Sequence, residues 1–243
     1  MDPEERAQRR PRNTDRRPAM SSEQILGIEL RFWPEPDAGR WFAALKSVLR
    51  WEPRLRPALV DRLSDLDAAA AEPWSDALWP ELADRCADER RSAWMLFSDD
   101  DDRFALTVRR LEDEVEFSIT AAPTRPDPAD DVLALVEELA ASVPPALAMA
   151  FDRKSDDAKF ILDGLRSLTD VPPLLYMDAG AVDSVGGIEH LTTAACEVRA
   201  LADGGALFIR RSPWEAPSVE DDATARCLGI ENGRPLVLLR SDQ

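Results

Sequence analysis

The sequence predicts an α+β fold, an antiparallel meander packed by amphipathic helices. Two observations on the chain and one on its connections carry this expectation. Apolar residues recur with period 2 in some segments and period 3.6 in others. These segments fall into runs instead of alternating strictly, which argues against a doubly wound sheet. The links between the period-2 segments of the middle third are too short for a helical crossover, so those strands run antiparallel.

Residues 1–23 carry no apolar periodicity and three Pro, and are expected to be a disordered Arg/Pro-rich tail, with Met20 an alternative start. Ile28, Leu30 and Phe32 alternate with Glu29 and Arg31, which predicts a half-buried strand ended by Pro34. Asp37 opens a helix with Trp41, Leu45, Val48 and Leu49 on one face. A second helix is expected from Pro53, aligning Leu55, Leu59, Leu63 and Leu66. A third follows Pro73, with Trp74, Leu78 and Leu82 on its face and Pro80 as a potential interruption.

The period then changes. Residues 93–97 are an apolar run, and alternation follows at Phe104, Leu106 and Val108 and at Val115, Phe117 and Ile119. The links 98–103 and 110–113 make this a three-stranded meander. Acids at 127–131 favour a helix start, Val132, Leu135, Val136 and Leu139 form its stripe, and Pro144-Pro145 stop it. Residues 146–151 read as a strand, and Ser155 as the cap of a helix whose face is Phe160, Ile161, Leu165 and Leu168.

In the final third, residues 174–177 form a short strand. Residues 178–193 are helical or irregular, broken at Gly186-Gly187. Segments 196–201 and 206–210 flank Asp203-Gly204-Gly205, a hairpin signal. A short helix at 221–228 and a last strand at 235–240 complete the chain. The expected organisation is a tail at 1–23, an α+β lobe at 24–153 and a smaller α+β lobe at 154–243. The boundary near 153–172 is weak enough that one continuous domain is the alternative.

Charge excludes more than it assigns. The chain of 243 residues has 30 Lys and Arg against 47 Asp and Glu, a formal charge of −17. Residues 1–18 hold six Arg and four acids, so the tail's own +2 leaves −19 on the remainder. A field of that sign repels nucleic acid and anionic membrane surfaces and attracts a basic protein partner. Cys86, Cys196 and Cys227 stand in no C-x-x-C spacing, so neither a disulfide framework nor a zinc set is expected, and reduced cytoplasmic thiols are the simple reading. No apolar run approaches the ~20 residues of a membrane helix.

No catalytic, cofactor-binding or metal-binding residue is predicted. His190 is the sole histidine, so a multi-histidine metal site is impossible, and no positioned nucleophile accompanies it. Val182-Asp183-Ser184-Val185-Gly186 fails as a nucleophile elbow because Val182 stands where glycine is required. Neither phosphate-binding glycine loop is present. Asp157-Ala158-Lys159, with Asp152 near it, matches a nuclease fragment but lacks a basic footprint. Asp99, Asp100, Asp101 and Asp102 lie between two expected strands, where they read as a solvated turn or, as the candidate partner-binding site, a partner-facing acidic patch. Trp51, Trp74 and Trp79 fall near helix ends, where packing between helices competes with a role as binding anchors.

Three C-terminal features carry a resemblance: Val171-Pro172-Pro173-Leu174-Leu175, Gly186-Gly187-Ile188-Glu189, and the hairpin of residues 196–209 around Asp203-Gly204-Gly205. Their order resembles the endings of bacterial immunity proteins that accompany type VI secretion and polymorphic toxins. The Tyr-Trp-Gly and Glu-Ser-Cys-Ala patterns of one such family are missing here. The resemblance implies a non-catalytic protein that neutralises a cognate toxin, and transfers no functional residue. The alternatives are an accessory or regulatory adaptor, and an enzyme whose site is assembled from Asp, Glu and Arg without a motif.

Overall fold

The computed structural model describes residues 24–63, 71–88, 92–98, 103–154, 167–168, 171–192, 197–215, 225–226, 228, 230 and 236–237. The α+β expectation holds. The strands are β1 (Leu26–Phe32), β2 (Leu59–Leu63), β3 (Glu72–Pro73), β4 (Ser92–Phe97), β5 (Ala105–Arg110), β6 (Val115–Ala121), β7 (Leu147–Asp152), β8 (Ser167–Leu168), β9 (Leu174–Met177), β10 (Glu197–Ala200), β11 (Ala206–Ile209) and β12 (Leu236–Val237). The helices are α1 (Ala38–Trp51), α2 (Leu78–Ala87), α3 (Pro128–Ala140), α4 (Ala179–Ser184) and α5 (Gly187–Leu191).

Among the described residues ten strands form one sheet in the order β10-β11-β9-β7-β1-β6-β5-β4-β2-β3, and β12 pairs with β8 separately. Every pairing in the large sheet among the described residues is antiparallel. The predicted meander is β4-β5-β6, and β1 joins its far side by pairing with β6 from Leu26↔Ala121 to Phe32↔Val115. β1 thus becomes a central strand, with β7 on its other flank.

One face of the sheet is covered by α1, α2 and α3. Trp41, Ala44, Leu45 and Val48 of α1 share one buried cluster with Leu26, Ile28, Leu30 and Phe32 of β1. Phe32 and Trp41 meet edge-on at 5.4 Å, and Trp41 Nε1 donates to the Glu35 carbonyl at 2.7 Å. α3 starts where its acids predict: the Asp127 carboxylate accepts from the Ala129 N–H at 2.9 Å, and Pro128 follows. Asp131 departs from the simple dipole reading. It is fully buried, and its carboxylate accepts the Thr124 and Arg125 N–H groups, fixing the loop ahead of the helix.

The second face is apolar over β7, β9 and β11. There Leu147, Met149, Leu175, Met177 and Phe208 pack with Ala181 and Val182 of α4 and Leu191 of α5.

The second expected helix is a correction. After a 3-10 turn at Pro53–Leu55, the chain becomes β2, pairing with β4 from Leu59↔Phe97 to Leu63↔Ala93. Leu55, Leu59 and Leu63 fit a helical stripe, but Val60 alternates with Leu59 and Asp61, and pairing with β4 buries Val60. Pro80 does not interrupt the third helix, because it lies in the first turn of α2, where no backbone bond is lost. Leu168, expected on a helical face, lies in β8; the rest of that segment, 155–166, is outside the described residues, as is most of 221–228.

Candidate functional site

Strand alternation turns Glu29 and Arg31 of β1, Glu116, Ser118 and Thr120 of β6, and Thr107 and Arg109 of β5 away from the helical layer. Met95 and Phe97 of β4 and Leu59 and Asp61 of β2 share that face. α4 and α5 pack against β9 and β10, at the far end of the sheet. Over β6-β5-β4-β2 the face is open among the described residues: Met95, Phe97, Thr107, Ser118 and Thr120 are half-exposed, and Leu59 is 41% exposed. Leu59 and Phe42 are the exposed large apolar residues among those described.

A charge network borders this open face. The register sets Arg31 opposite Glu116 and Glu116 opposite Arg109. Arg31 Nη1 lies 2.7 Å from Glu114 Oε1 and 2.5 Å from Glu116 Oε2, and its Nη2 lies 3.6 Å from Glu29 Oε2. Arg109 Nη1 reaches Glu116 Oε1 at 3.8 Å from the exposed side. Arg31, Glu114 and Glu116 are all buried, so the network is desolvated and three carboxylates face two guanidinium groups. Burial lifts the Glu29 carboxyl above its usual range, Arg31 opposes the rise, and the charge of Glu116 adds to it. Asp61 Oδ1, on the same face, is sealed from water without a hydrogen-bond partner. Chemically, this surface offers excess negative charge beside a half-exposed strip of small polar and apolar side chains.

Asp99, Asp100, Asp101 and Asp102 connect β4 to β5 and lie outside the described residues, as do Asp157, Lys159, Cys196 and Cys227. Asp183 and Ser184 lie in α4, where Ser184 Oγ donates to the Ala181 carbonyl at 2.7 Å. His190 is exposed in α5. Asp178 caps α4, accepting from the Ala181 N–H at 2.7 Å; burial raises its carboxyl, and hydrogen bonds from the α4 backbone and the Trp33 side chain pull it down. Trp79 is buried, whereas Trp51 and Trp74 are half-buried, their Nε1 groups donating to the Asp131 carbonyl and to Asp76. Cys86 is buried beside Arg110, and desolvation pushes its thiol up to about 12.

Sequence reasoning missed the Arg31 network. Its local signal was the charge at alternate positions, Glu29 and Arg31 in one strand and Glu114 and Glu116 in another. Which strands lie side by side was not readable from that pattern.

No family model matches the chain, and no curated protein matches it. Among solved structures, it is similar to the Pseudomonas aeruginosa T6SS protein PA0821, with a TM-score of 0.55 and 13% identity over 85% of this chain and 72% of that one. That likeness is one of fold. A chain from the crystal structure of the toxic C-terminal tip of CdiA from Pseudomonas aeruginosa in complex with immune protein also aligns, with a TM-score of 0.34 and 12% identity over 57% of this chain and 94% of that one.

Proposed function

We propose that this chain is a non-catalytic acidic binding protein that neutralises a cognate bacterial toxin, with a basic protein as its partner. The observation that carries the reading is the sheet face over β6-β5-β4-β2, half-exposed and bordered by the Glu29, Glu114 and Glu116 carboxylates. A surface of this kind suits a broad contact with a cationic protein, and a net charge of −17 speeds that encounter. The resemblance of the C-terminal third to immunity proteins agrees with it, as does a fold shared with a protein described as belonging to a type VI secretion system.

The test co-expresses the chain with the product of the adjacent gene. A stoichiometric complex and rescue of growth are expected, and Thr107→Arg or Met95→Arg on the open face should abolish both while leaving the fold intact. Growth unaffected by the adjacent product, with no complex at low ionic strength, defeats the reading. Several unrelated partners would replace it with the adaptor reading.

A further inference from the structure

The two edges of the large sheet differ. At one end, β3 places Pro73, which has no N–H to offer, at the edge. At the other, β10 pairs with β11 alone among the described strands. The Leu201 N–H donates to the Gly205 carbonyl at 2.8 Å, which sets the phase of that ladder. Arg199 and Glu197 therefore bond inward to β11, and the backbone groups of Val198 and Ala200 point out from the edge.

A cleft of ≈ 360 Å³ lies between this strand and α3. Leu133, Val136 and Leu201 supply its apolar lining, and Glu137 and Asp203 its acids. Glu137 makes no hydrogen bond or ion pair among the described residues. Arg199 is already committed, to Glu197 at 2.7 Å, Asp127 at 2.9 Å and Asp130 at 3.0 Å. Around this edge five carboxylates, Asp127, Asp130, Glu137, Glu197 and Asp203, outnumber the guanidinium groups of Arg199 and of Arg125, which donates to the Asp130 carbonyl.

We propose that β10 accepts an extended basic segment of a partner polypeptide as an added antiparallel or parallel strand. The outward groups of Val198 and Ala200 supply the backbone bonds. Lys or Arg side chains on the α3 side lay their methylenes over Leu133 and Leu201 and set their charges against Glu137 and Asp203. Apolar side chains of the added strand fall on the other side, beside Val198. A second copy of this chain fits less well, because it brings the same excess of carboxylates to the edge. This inference goes beyond the open-face contact and rests on the reading above only in taking the partner to be a basic polypeptide.

The probe is a fluorescein-labelled peptide of alternating Lys and Val, six residues long, titrated against the intact chain and followed by anisotropy at low salt. Saturable binding is expected. N-methylation of the peptide at alternate residues should weaken it at least tenfold without touching the protein. Glu137→Lys should weaken it severalfold, Ala200→Pro should weaken it at least tenfold, and amide exchange at Val198 and Ala200 should slow in the complex. Binding that ignores N-methylation and Ala200→Pro would show charge attraction without strand addition, and overturn the proposal; so would the absence of saturable binding. A dimer in sedimentation that Ala200→Pro dissolves would overturn it in favour of a second copy. Because the peptide needs no toxin, failure of the growth rescue leaves this result standing, and the reverse also holds.

Discussion

Arg31 and Glu116 face each other across β1 and β6, with Nη1 2.5 Å from Oε2 and both side chains nearly sealed from water. Arg31 contacts Glu29 and Glu114 as well, so one guanidinium serves three carboxylates. Removing it leaves buried carboxylates without their counter-charge. Arg31→Met is therefore expected to cost about 3–5 kcal/mol of stability, measured by urea unfolding. Adding Glu114→Gln and Glu116→Gln should recover a large part of that loss; no recovery would mean that the arginine acts by packing alone.

Glu29 supplies a pH dependence of defined sign. Its folded-state carboxyl is raised, chiefly by burial. Its protonated form is favoured by folding, so its contribution is fully present below the unfolded glutamate range and is lost as pH rises through the folded value. Glu29→Gln should flatten the fall in stability across that window and leave the protein more stable at pH 7 by about 1 kcal/mol, the scale of one poorly satisfied buried polar group. Unfolding curves from pH 4 to 7 check it; a variant less stable at every pH would contradict it.

Gly27 has no room for a side chain. A Cβ there would stand 2.6 Å from the Phe151 ring across the β1–β7 pair. Gly27→Ala should cost roughly 1–3 kcal/mol as the ring is displaced. Phe151→Leu in the same chain should reduce that extra cost, and the double-mutant cycle reads the coupling.

Asp127 caps α3 and also binds Arg199 of β10. Burial opposes its ionisation, but Arg199 and the Ala129 N–H win and hold the carboxyl below its usual range. Its stabilisation is present above the unfolded aspartate range and disappears as pH falls through the lower folded value. Asp127→Ala should cost about 0.5–2 kcal/mol at neutral pH, mostly as a lost cap, and less in acid. Thermal unfolding at pH 7 and pH 3 tests the difference.

The strands of the meander and most of the helices were legible because each repeats apolar residues at its own period: Leu106 and Val108, or Val132, Leu135 and Leu139, are buried where the pattern puts them. β2 was not legible as a strand. Leu55, Leu59 and Leu63 satisfy a helical spacing, and only the ladder to β4 decides between the two. The Arg31 network and the place of β10 at the edge of the described sheet were hidden for a related reason. Glu29, Arg31, Glu114 and Glu116 look like solvated charges one strand at a time, and become a buried cluster once β1 lies against β6.

By itself, then, the sequence determined the acidity, the periods of the segments and the absence of standard catalytic motifs. These are local or additive properties that each residue carries wherever the chain runs. The tertiary structure alone decided the strand order, because pairing depends on which distant segments bury their apolar faces together. That order left part of one sheet face half-exposed, and, among the described residues, placed β10 at the rim beside α3 with Glu137 unpaired.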